Sequence, residues 1–193
     1  MKITLIIIIA ILVIFAFAFI YYGGLIKVNC RIERQGGEKL VYKQMTGDYA
    51  KSAKLMDEIY YSLLNVYSIE TYKGFGIYYD NPKVVEKSKL RSEIGCIVED
   101  KDSSKFTQIA EGLSTKTFPE RSYIVTEFPS KGKLSILFGI MKVYPAIEKF
   151  VEINGYKNEG SVMEIYDVPN KKIVYRKEII EQMSWIQLFV KII

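Results

Sequence analysis

Two short stretches, YYDNP at residues 78–82 and IYDVP at residues 165–169, decide how this chain folds. Each follows a short run rich in strand-forming residues, and each ends in a proline, which cannot donate to a strand ladder. The two stretches match after a constant offset. The match predicts that the chain contains two copies of one structural unit.

The order of elements around the two stretches supports this duplication. Apolar and polar residues alternate over 39–45 and 122–128, as they do in half-buried strands. Apolar residues at helical spacing follow in both halves, over 50–67 and 137–151. Each half therefore reads strand–helix–strand–strand. We expect an α+β domain in which one antiparallel sheet carries both helices on one face, while the opposite face and the junction between the halves form a concavity.

Two segments depart from this regular pattern. Residues 99–120 are polar and predict a loop or a short irregular segment. Pro145 falls inside the second helical pattern. Because proline removes a helical hydrogen bond and clashes with the preceding turn, we expect that helix to be kinked there or to begin nearby.

An uncharged N-terminal run predicts a transmembrane helix. Residues 3–22 carry one clearly polar side chain, Thr4, and about 20 residues suffice to cross a hydrocarbon core of about 30 Å. The alternative is a cleaved signal peptide with a small-x-small site at residues 16–18. The apolar run is longer than the roughly 7–15 residues of such a peptide and continues past that site. We therefore expect a single-pass membrane protein whose partner through residues 3–22 is the lipid bilayer.

The sequence divides into four parts, which are a transmembrane anchor at 1–24, a juxtamembrane linker at 25–37, one domain at 38–180 and a C-terminal amphipathic segment at 181–193.

Positive charge tends to stay on the cytoplasmic side of a membrane. Lysines and arginines after the span outnumber the single Lys2 before it. This asymmetry favours a cytoplasmic domain, and the short N-terminal tail with its lone Lys2 permits the opposite orientation.

Composition excludes several classes of chemistry. The chain has no histidine, so it has neither a Ser-His-Asp nor a Cys-His catalytic unit, nor a histidine-liganded metal site. Cys30 and Cys96 are too few for a structural zinc site. A glycine-rich phosphate loop is absent, and the net charge of +5 is scattered among acids rather than gathered in a stripe. We expect no metal, no cofactor and no nucleic-acid partner.

Glu164 is the residue with the most distinctive surroundings. It lies in the otherwise apolar segment 162–166, in which strand alternation places Glu164 and Tyr166 on one face. A carboxylate on an inward face is costly unless it is paired. Such a group attracts a cationic ligand, or acts as a general base if its pKa is raised. The alternative is an ordinary solvent-facing acid on a strand.

Tyrosines are abundant around the predicted sheet and helices. Tyr60, Tyr79, Tyr144 and Tyr166 join Glu164 as candidate ligand-binding residues. Aromatic rings around a carboxylate suit an apolar or cationic ligand through stacking and cation–π contacts. The alternative for each tyrosine is core packing with a hydrogen-bonded hydroxyl.

Six motifs follow one another over roughly residues 38–180, namely GIYYDNP at 76–82, LRSEIG at 90–95, FPSKG at 128–132, VYPAI at 143–147, NGY at 154–156 and EIY at 164–166. Together they resemble the GyrI-like, or DNA gyrase inhibitor-like, small-molecule-binding domain, and in particular its membrane-anchored branch. The resemblance implies a ligand pocket between two repeats, with its acid at Glu164. It also implies drugs or other hydrophobic cations as ligands and, for some members, hydrolysis of small reactive compounds.

Three functions are open at this point. The leading one is a membrane-tethered small-molecule-binding module or sensor, with a central acid for apolar or cationic ligands. The second is a hydrolase in which Glu164 activates water and a tyrosine donates a proton. The third is a membrane-anchored adaptor or receptor. WIQL at 185–188 has the aromatic-x-x-aliphatic spacing of an autophagy motif, a pattern that is common by chance.

Overall fold

The computed structural model describes residues 2–181. Within that range the helices α1 to α4 are Lys2–Tyr21, Ser52–Tyr67, Phe106–Ala110 and Lys133–Ile153. The strands β1 to β8 are Arg31–Gln35, Lys39–Thr46, Lys73–Tyr78, Arg91–Val98, Ser114–Thr117, Arg121–Pro129, Val162–Asp167 and Lys172–Glu178.

All eight strands form one antiparallel sheet in the order β1-β6-β8-β7-β3-β4-β2-β5. The units β2-α2-β3-β4 and β6-α4-β7-β8 are two copies of one arrangement, joined where β3 pairs with β7. Cys96 of β4 packs under Ile59 and Leu63 of α2, and Tyr175 of β8 packs under Val143 of α4. Both helices therefore cover the same face. The predicted α+β class and duplicated strand–helix–strand–strand fold are confirmed.

The two ends of the sheet are joined by very short connections. Residues 36–38 link β1 at one edge to β2 near the other, and residues 118–120 link β5 back to β6. The links also pair with each other, because Gly37 N–H donates to the Phe118 carbonyl and Phe118 N–H donates to the Glu38 carbonyl, both at 2.8 Å. The sheet therefore curves until its two ends meet.

This curvature fills the face of the sheet that points away from the helices. Side chains from strands as distant in the sheet as β2 and β6 share one core there, which comprises Leu40, Phe75, Ile77, Ile97, Phe118, Tyr123, Val125, Met163, Ile165 and Val174. The rings of Phe118 and Tyr123 stack with centroids 5.3 Å apart. Burial of each large apolar side chain stabilises the fold by about 1.5–3 kcal/mol. The inner face is thus packed core, so the prediction of a concavity on the face opposite the helices is wrong. The space for a ligand lies on the helix face instead.

Two segments form strands where the sequence pattern is irregular. Residues 31–35 lie within the predicted linker 25–37, yet they form β1. The predicted loop at 99–120 contains a 3₁₀ turn, α3 and β5. The two strands are RIERQ and STKT, and both lie at sheet edges. Edge strands are commonly short and polar, so they lack the apolar alternation by which strands are recognised.

Helix α4 passes through Pro145 without a break. A proline inside a helix leaves the carbonyl four residues earlier without its N–H partner, and here that carbonyl belongs to Met141. Met141 and Pro145 are both exposed. This turn of the helix therefore faces away from the core, and the helix continues past the proline.

Helix α1 is long and apolar enough to span a membrane, with a mean hydropathy of 3.4, and it is the one such helix among residues 2–181. Signal sequences near an N-terminus share this character. The predicted amphipathic segment at 181–193 and the WIQL motif at 185–188 lie outside the described residues, apart from Glu181, which forms a single bridge to Tyr156.

The end of α1 packs directly against α4. The rings of Phe19 and Phe138 meet edge to face with centroids 5.3 Å apart. The Lys142 ammonium donates to the Gly24 carbonyl at 2.5 Å. Val28, inside the predicted linker, packs into the core under α4. The chain therefore leaves the candidate span and enters the domain without a free linker between them.

We expect Gly95→Ala to destabilise the sheet. A Cβ atom on Gly95 would collide with the backbone carbonyl of Val41 on the neighbouring strand. Backbone cannot move aside as a side chain does, so the free energy of unfolding should fall by about 1–3 kcal/mol. Thermal unfolding of the full chain in detergent micelles measures this change.

The matched control is Gly112→Ala, whose Cβ would meet only the hydroxyl end of Tyr67. That flexible side chain can turn away, so the control should retain a melting temperature close to that of wild type. Equal melting temperatures for wild type and Gly95→Ala would show that β2 and β4 are farther apart than described.

Candidate functional site

A cavity of about 1180 Å³ lies between α2 and α4, above the central strands β3 and β7. The register of these strands accounts for its depth. Gly74 and Gly76 of β3 lie directly opposite Tyr166 and Glu164 of β7. Directly paired residues of neighbouring strands share a face of the sheet. On the helix face, β3 therefore contributes bare backbone beside the two polar side chains of β7.

Glu164 lies in this cavity with 3% of its surface exposed. The Tyr144 hydroxyl donates to one carboxylate oxygen at 2.7 Å, and the Tyr166 hydroxyl donates to the other at 2.6 Å. Among residues 2–181, no lysine or arginine forms an ion pair with this carboxylate. Burial raises the pKa of Glu164, and the two hydroxyl donors oppose that effect without cancelling it.

The two tyrosines are held as donors by the same environment. Burial, followed by the nearby Glu164 charge, raises the pKa of Tyr144 and of Tyr166 well above the usual range. Both hydroxyls therefore keep their protons. The ring of Tyr175 meets that of Tyr144 edge to face at 6.1 Å. Within the described part of the chain, the carboxylate thus lies in an aromatic enclosure that supplies two neutral donors and no cation.

Tyr78 also faces the cavity, although the sequence singled out its neighbour Tyr79. Tyr78 pairs with Val162, so it lies on the same face as Gly76 and Glu164. Its hydroxyl would be 2.6 Å from a Cβ on Gly76, which means that the ring extends over the bare backbone. Burial, followed by the Glu164 charge, raises the pKa of Tyr78. To predict that Tyr78 rather than Tyr79 faces the cavity, one must know how β3 pairs with β7. The sequence repeat does not reveal this pairing.

Two of the predicted site residues lie away from the carboxylate. Tyr79 reaches the rim of the cavity. Its pKa is raised by burial and then by Glu93, an acid on the opposite face of the sheet. Tyr60 packs in the core beneath α2, edge to face with Tyr61 at 5.4 Å, and does not line the cavity. The structure therefore brings together Glu164, Tyr144 and Tyr166.

Acids outnumber lysines around the cavity. The lining contains six carboxylates and three lysines, which are Asp48, Asp57, Asp80, Glu148, Glu159 and Glu164 against Lys83, Lys87 and Lys177. Lys87 pairs with Asp48 at 3.4 Å. Lys177 donates to the carbonyls of Glu159 and Gly160 rather than to a carboxylate. The lining therefore carries a net negative charge, which favours cations over anions.

A profile of the GyrI-like small molecule binding domain matches residues 29–180. Human testis-expressed protein 264 is 26% identical over 144 residues, which cover 70% of this chain and 44% of that protein. Its mouse homolog is 27% identical over 86 residues, which cover 42% of this chain and 28% of the homolog. The chain thus spans less than half the length of the curated relatives that it matches.

Solved structures share the fold at low sequence identity. The C-terminal domain of EcmrR has a TM-score of 0.56 and 14% identity, over 80% of this chain and 99% of that domain. SAV2435, solved with bound tetraphenylphosphonium, has a TM-score of 0.52 and 10% identity, over 78% of this chain and 93% of SAV2435.

We expect Glu164→Gln to change how stability depends on pH. The raised pKa means that the folded protein binds more protons than the unfolded chain above the ordinary glutamate value of about 4.3. The contribution of Glu164 to stability is therefore present below that value and is lost as pH rises through the folded-state pKa. Glutamine lacks this titration, so the melting temperature of the variant minus that of wild type should increase from about pH 4 to about pH 7.

Glu152→Gln is the control, because this exposed acid on α4 does not line the cavity. Its difference from wild type should not show that increase. A difference for Glu164→Gln that is constant with pH would contradict a buried carboxylate with a raised pKa.

Proposed function

The chain belongs to the GyrI-like family of small-molecule-binding domains, and we propose that it binds apolar or cationic small molecules in the cleft between α2 and α4. The observation that carries this proposal is the buried Glu164 carboxylate, which has two tyrosine donors and no cationic partner among the described residues. A buried charge without a counter-charge is costly. A bound cation offsets that cost and leaves both hydroxyl donors in place.

The lining suits a bulky lipophilic cation. Ile136, Ile140 and Met141 provide apolar surface from α4, and Tyr78 and Tyr144 provide aromatic surface. Aromatic faces attract cations, most strongly where water is excluded. The likeness in fold to a protein solved with tetraphenylphosphonium supports this ligand class. We therefore take tetraphenylphosphonium as the probe.

Hydrolysis by Glu164 is less well supported by the geometry. A general base must reach the proton of a water molecule. The hydrogen bonds that Tyr144 and Tyr166 donate to Glu164 stabilise its charged form and so weaken it as a base. The raised pKa of each tyrosine also makes it a weaker proton donor. The site favours holding a ligand over activating water.

We propose further that α1 remains attached as a single-pass membrane anchor and that the domain lies in the cytoplasm. The contacts of Phe19 and Gly24 with α4 support attachment, because the end of the span packs as part of the domain. Lys27, Lys131 and Lys133 lie near this junction and are exposed. Positive charge next to a span favours the cytoplasmic side.

We expect Glu164→Gln to weaken binding of tetraphenylphosphonium by roughly 10–100-fold, because two opposite unit charges about 6–11 Å apart attract by about 1.5–3 kcal/mol at an effective dielectric constant of about 20. Wild-type affinity should also fall as pH drops through the raised pKa of Glu164, because protonation removes the negative charge. The variant should lose this pH dependence. Titration calorimetry of the full chain in detergent measures both effects.

Tetraphenylborate, which has the same shape and the opposite charge, serves as the ligand control. It should bind wild type more weakly than tetraphenylphosphonium does. In Glu164→Gln, the ratio of the affinities for the two ions should be closer to one. Glu152→Gln should bind both ions as wild type does. Equal affinity of wild type and Glu164→Gln for tetraphenylphosphonium would refute the role of Glu164.

We expect the full chain to pellet with membranes and to need detergent for extraction, because residues 3–22 expose an uncharged surface. The cytoplasmic orientation is tested with a cysteine introduced at Asn65, an exposed position on α2. It should react with a membrane-impermeant maleimide only after the cells are permeabilised. Cys30→Ser removes the half-buried native thiol, so that it does not react, and Cys96 is buried. Uncleaved chain in the soluble fraction would refute the anchor, and labelling of intact cells would refute the cytoplasmic orientation.

A further inference from the structure

We propose that an exposed apolar ridge on α4, formed by Leu134, Leu137 and Met141, lies on the lipid bilayer and that the ligand cavity opens beside it. Lipophilic ligands then enter from the membrane rather than from water. The proposal rests on the proposed binding function and on α1 as an anchor. It adds a second contact with the membrane and a source for the ligand.

The ridge is unusual for a helix that faces water. Leu134, Leu137 and Met141 are 46%, 52% and 63% exposed. They recur at spacings of three and four residues, so they form one continuous stripe on the helix surface. The outer face of a helix in a water-soluble domain is typically polar. A continuous exposed apolar stripe instead indicates a membrane or protein contact.

The position of the ridge identifies the bilayer as the occupant. On one side of the ridge, Phe138 and Lys142 contact Phe19 and Gly24 at the end of α1. Phe19 belongs to the last turn of α1, which a spanning helix places near the membrane interface. A helix in contact with that turn therefore lies at the depth of the interface, where an exposed apolar stripe is stabilised by burial among acyl chains.

Basic side chains lie where lipid headgroups would be. Lys27, Lys131 and Lys133 are exposed around the junction of α1 and α4. The Lys131 ammonium lies 4.7 Å from the centroid of the Tyr21 ring, at the end of α1. An apolar stripe flanked by lysines is the pattern of a helix that lies flat on an anionic membrane surface. The charges thus favour a bilayer over an apolar protein partner.

The other side of the ridge leads into the cavity. Ile140 is 46% exposed next to Met141, and both residues also line the cavity. Tyr144, one helical turn farther on, donates to Glu164. An apolar surface therefore continues from the ridge to the buried carboxylate. A lipophilic cation concentrated in the bilayer can follow this surface without crossing bulk water.

The first test measures lipid contact with the full chain reconstituted in vesicles of phosphatidylcholine and phosphatidylserine. Trp185→Phe removes the single native tryptophan, and Leu137→Trp places a reporter on the ridge. Replacing the phosphatidylcholine with its chain-brominated analogue should strongly quench the Leu137→Trp emission, because an interfacial helix buries its apolar face among the acyl chains. The control is Val66→Trp, an exposed position on α2, which should be quenched far less.

The second test separates the entry route from binding itself. Leu134→Glu combined with Leu137→Glu places two charges on the ridge, and neither residue lines the cavity. In detergent, this variant should bind tetraphenylphosphonium within about twofold of wild type. From preloaded vesicles it should take up the probe several-fold more slowly than wild type. In both tests, each variant is compared with the Trp185→Phe protein, in which the variant substitutions are made, for folding and for the amount reconstituted.

The outcomes distinguish this proposal from the proposed function. Quenching of Leu137→Trp no greater than that of Val66→Trp overturns the membrane contact, even if tetraphenylphosphonium binds in detergent. Uptake from vesicles at the wild-type rate by the two-glutamate variant overturns the entry route. Absence of tetraphenylphosphonium binding by wild type in detergent overturns the proposed function, whereas the quenching result still decides whether the ridge lies on the bilayer.

Discussion

A carboxylate buried without a cationic partner among residues 2–181 sets the arrangement of the cleft. Burial of Glu164 is tolerable only while both of its oxygens accept hydrogen bonds, and the two donors come from different elements. Tyr166 is two residues along the same strand, whereas Tyr144 projects from α4. The position of α4 over the sheet is therefore coupled to the hydrogen bonding of Glu164. A ligand that changes this hydrogen bonding also affects the position of α4.

The two repeats share one fold but contribute different side chains to the cavity. At the centre of the sheet, Gly76 of the first repeat lies directly opposite Glu164 of the second. An acid at both positions would place two like charges on one face at the separation of a cross-strand pair, which is destabilising. The glycine avoids that repulsion and leaves volume for a ligand. The first repeat thus supplies space and Tyr78, and the second supplies the charge and its donors.

The sequence was sufficient for the fold class and for part of the site, for physical reasons. Helical and strand periodicity record which residues are buried, and Glu164 is conspicuous because its strand is otherwise apolar. Tyr144 and Tyr166 could be found as aromatic neighbours of the motif. Tyr78 could not be distinguished from Tyr79, because the pairing of β3 with β7 decides which of them faces the helices. The edge strands β1 and β5 are polar, which protects them from pairing with another chain. The same polarity leaves them without the alternation of apolar and polar residues by which a strand is recognised.

Those edge strands have a consequence if α1 anchors the protein to a membrane, as proposed. Tethering concentrates copies in two dimensions, where unpaired strand edges meet often and invite intermolecular β-pairing. Here the outermost strands are RIERQ and STKT, and the first carries the ion pairs Arg31–Glu33 and Arg34–Glu120. Charged, short edges disfavour the addition of a further strand. The two edges of this sheet therefore oppose aggregation through strand addition, which the proposed tethering would otherwise promote.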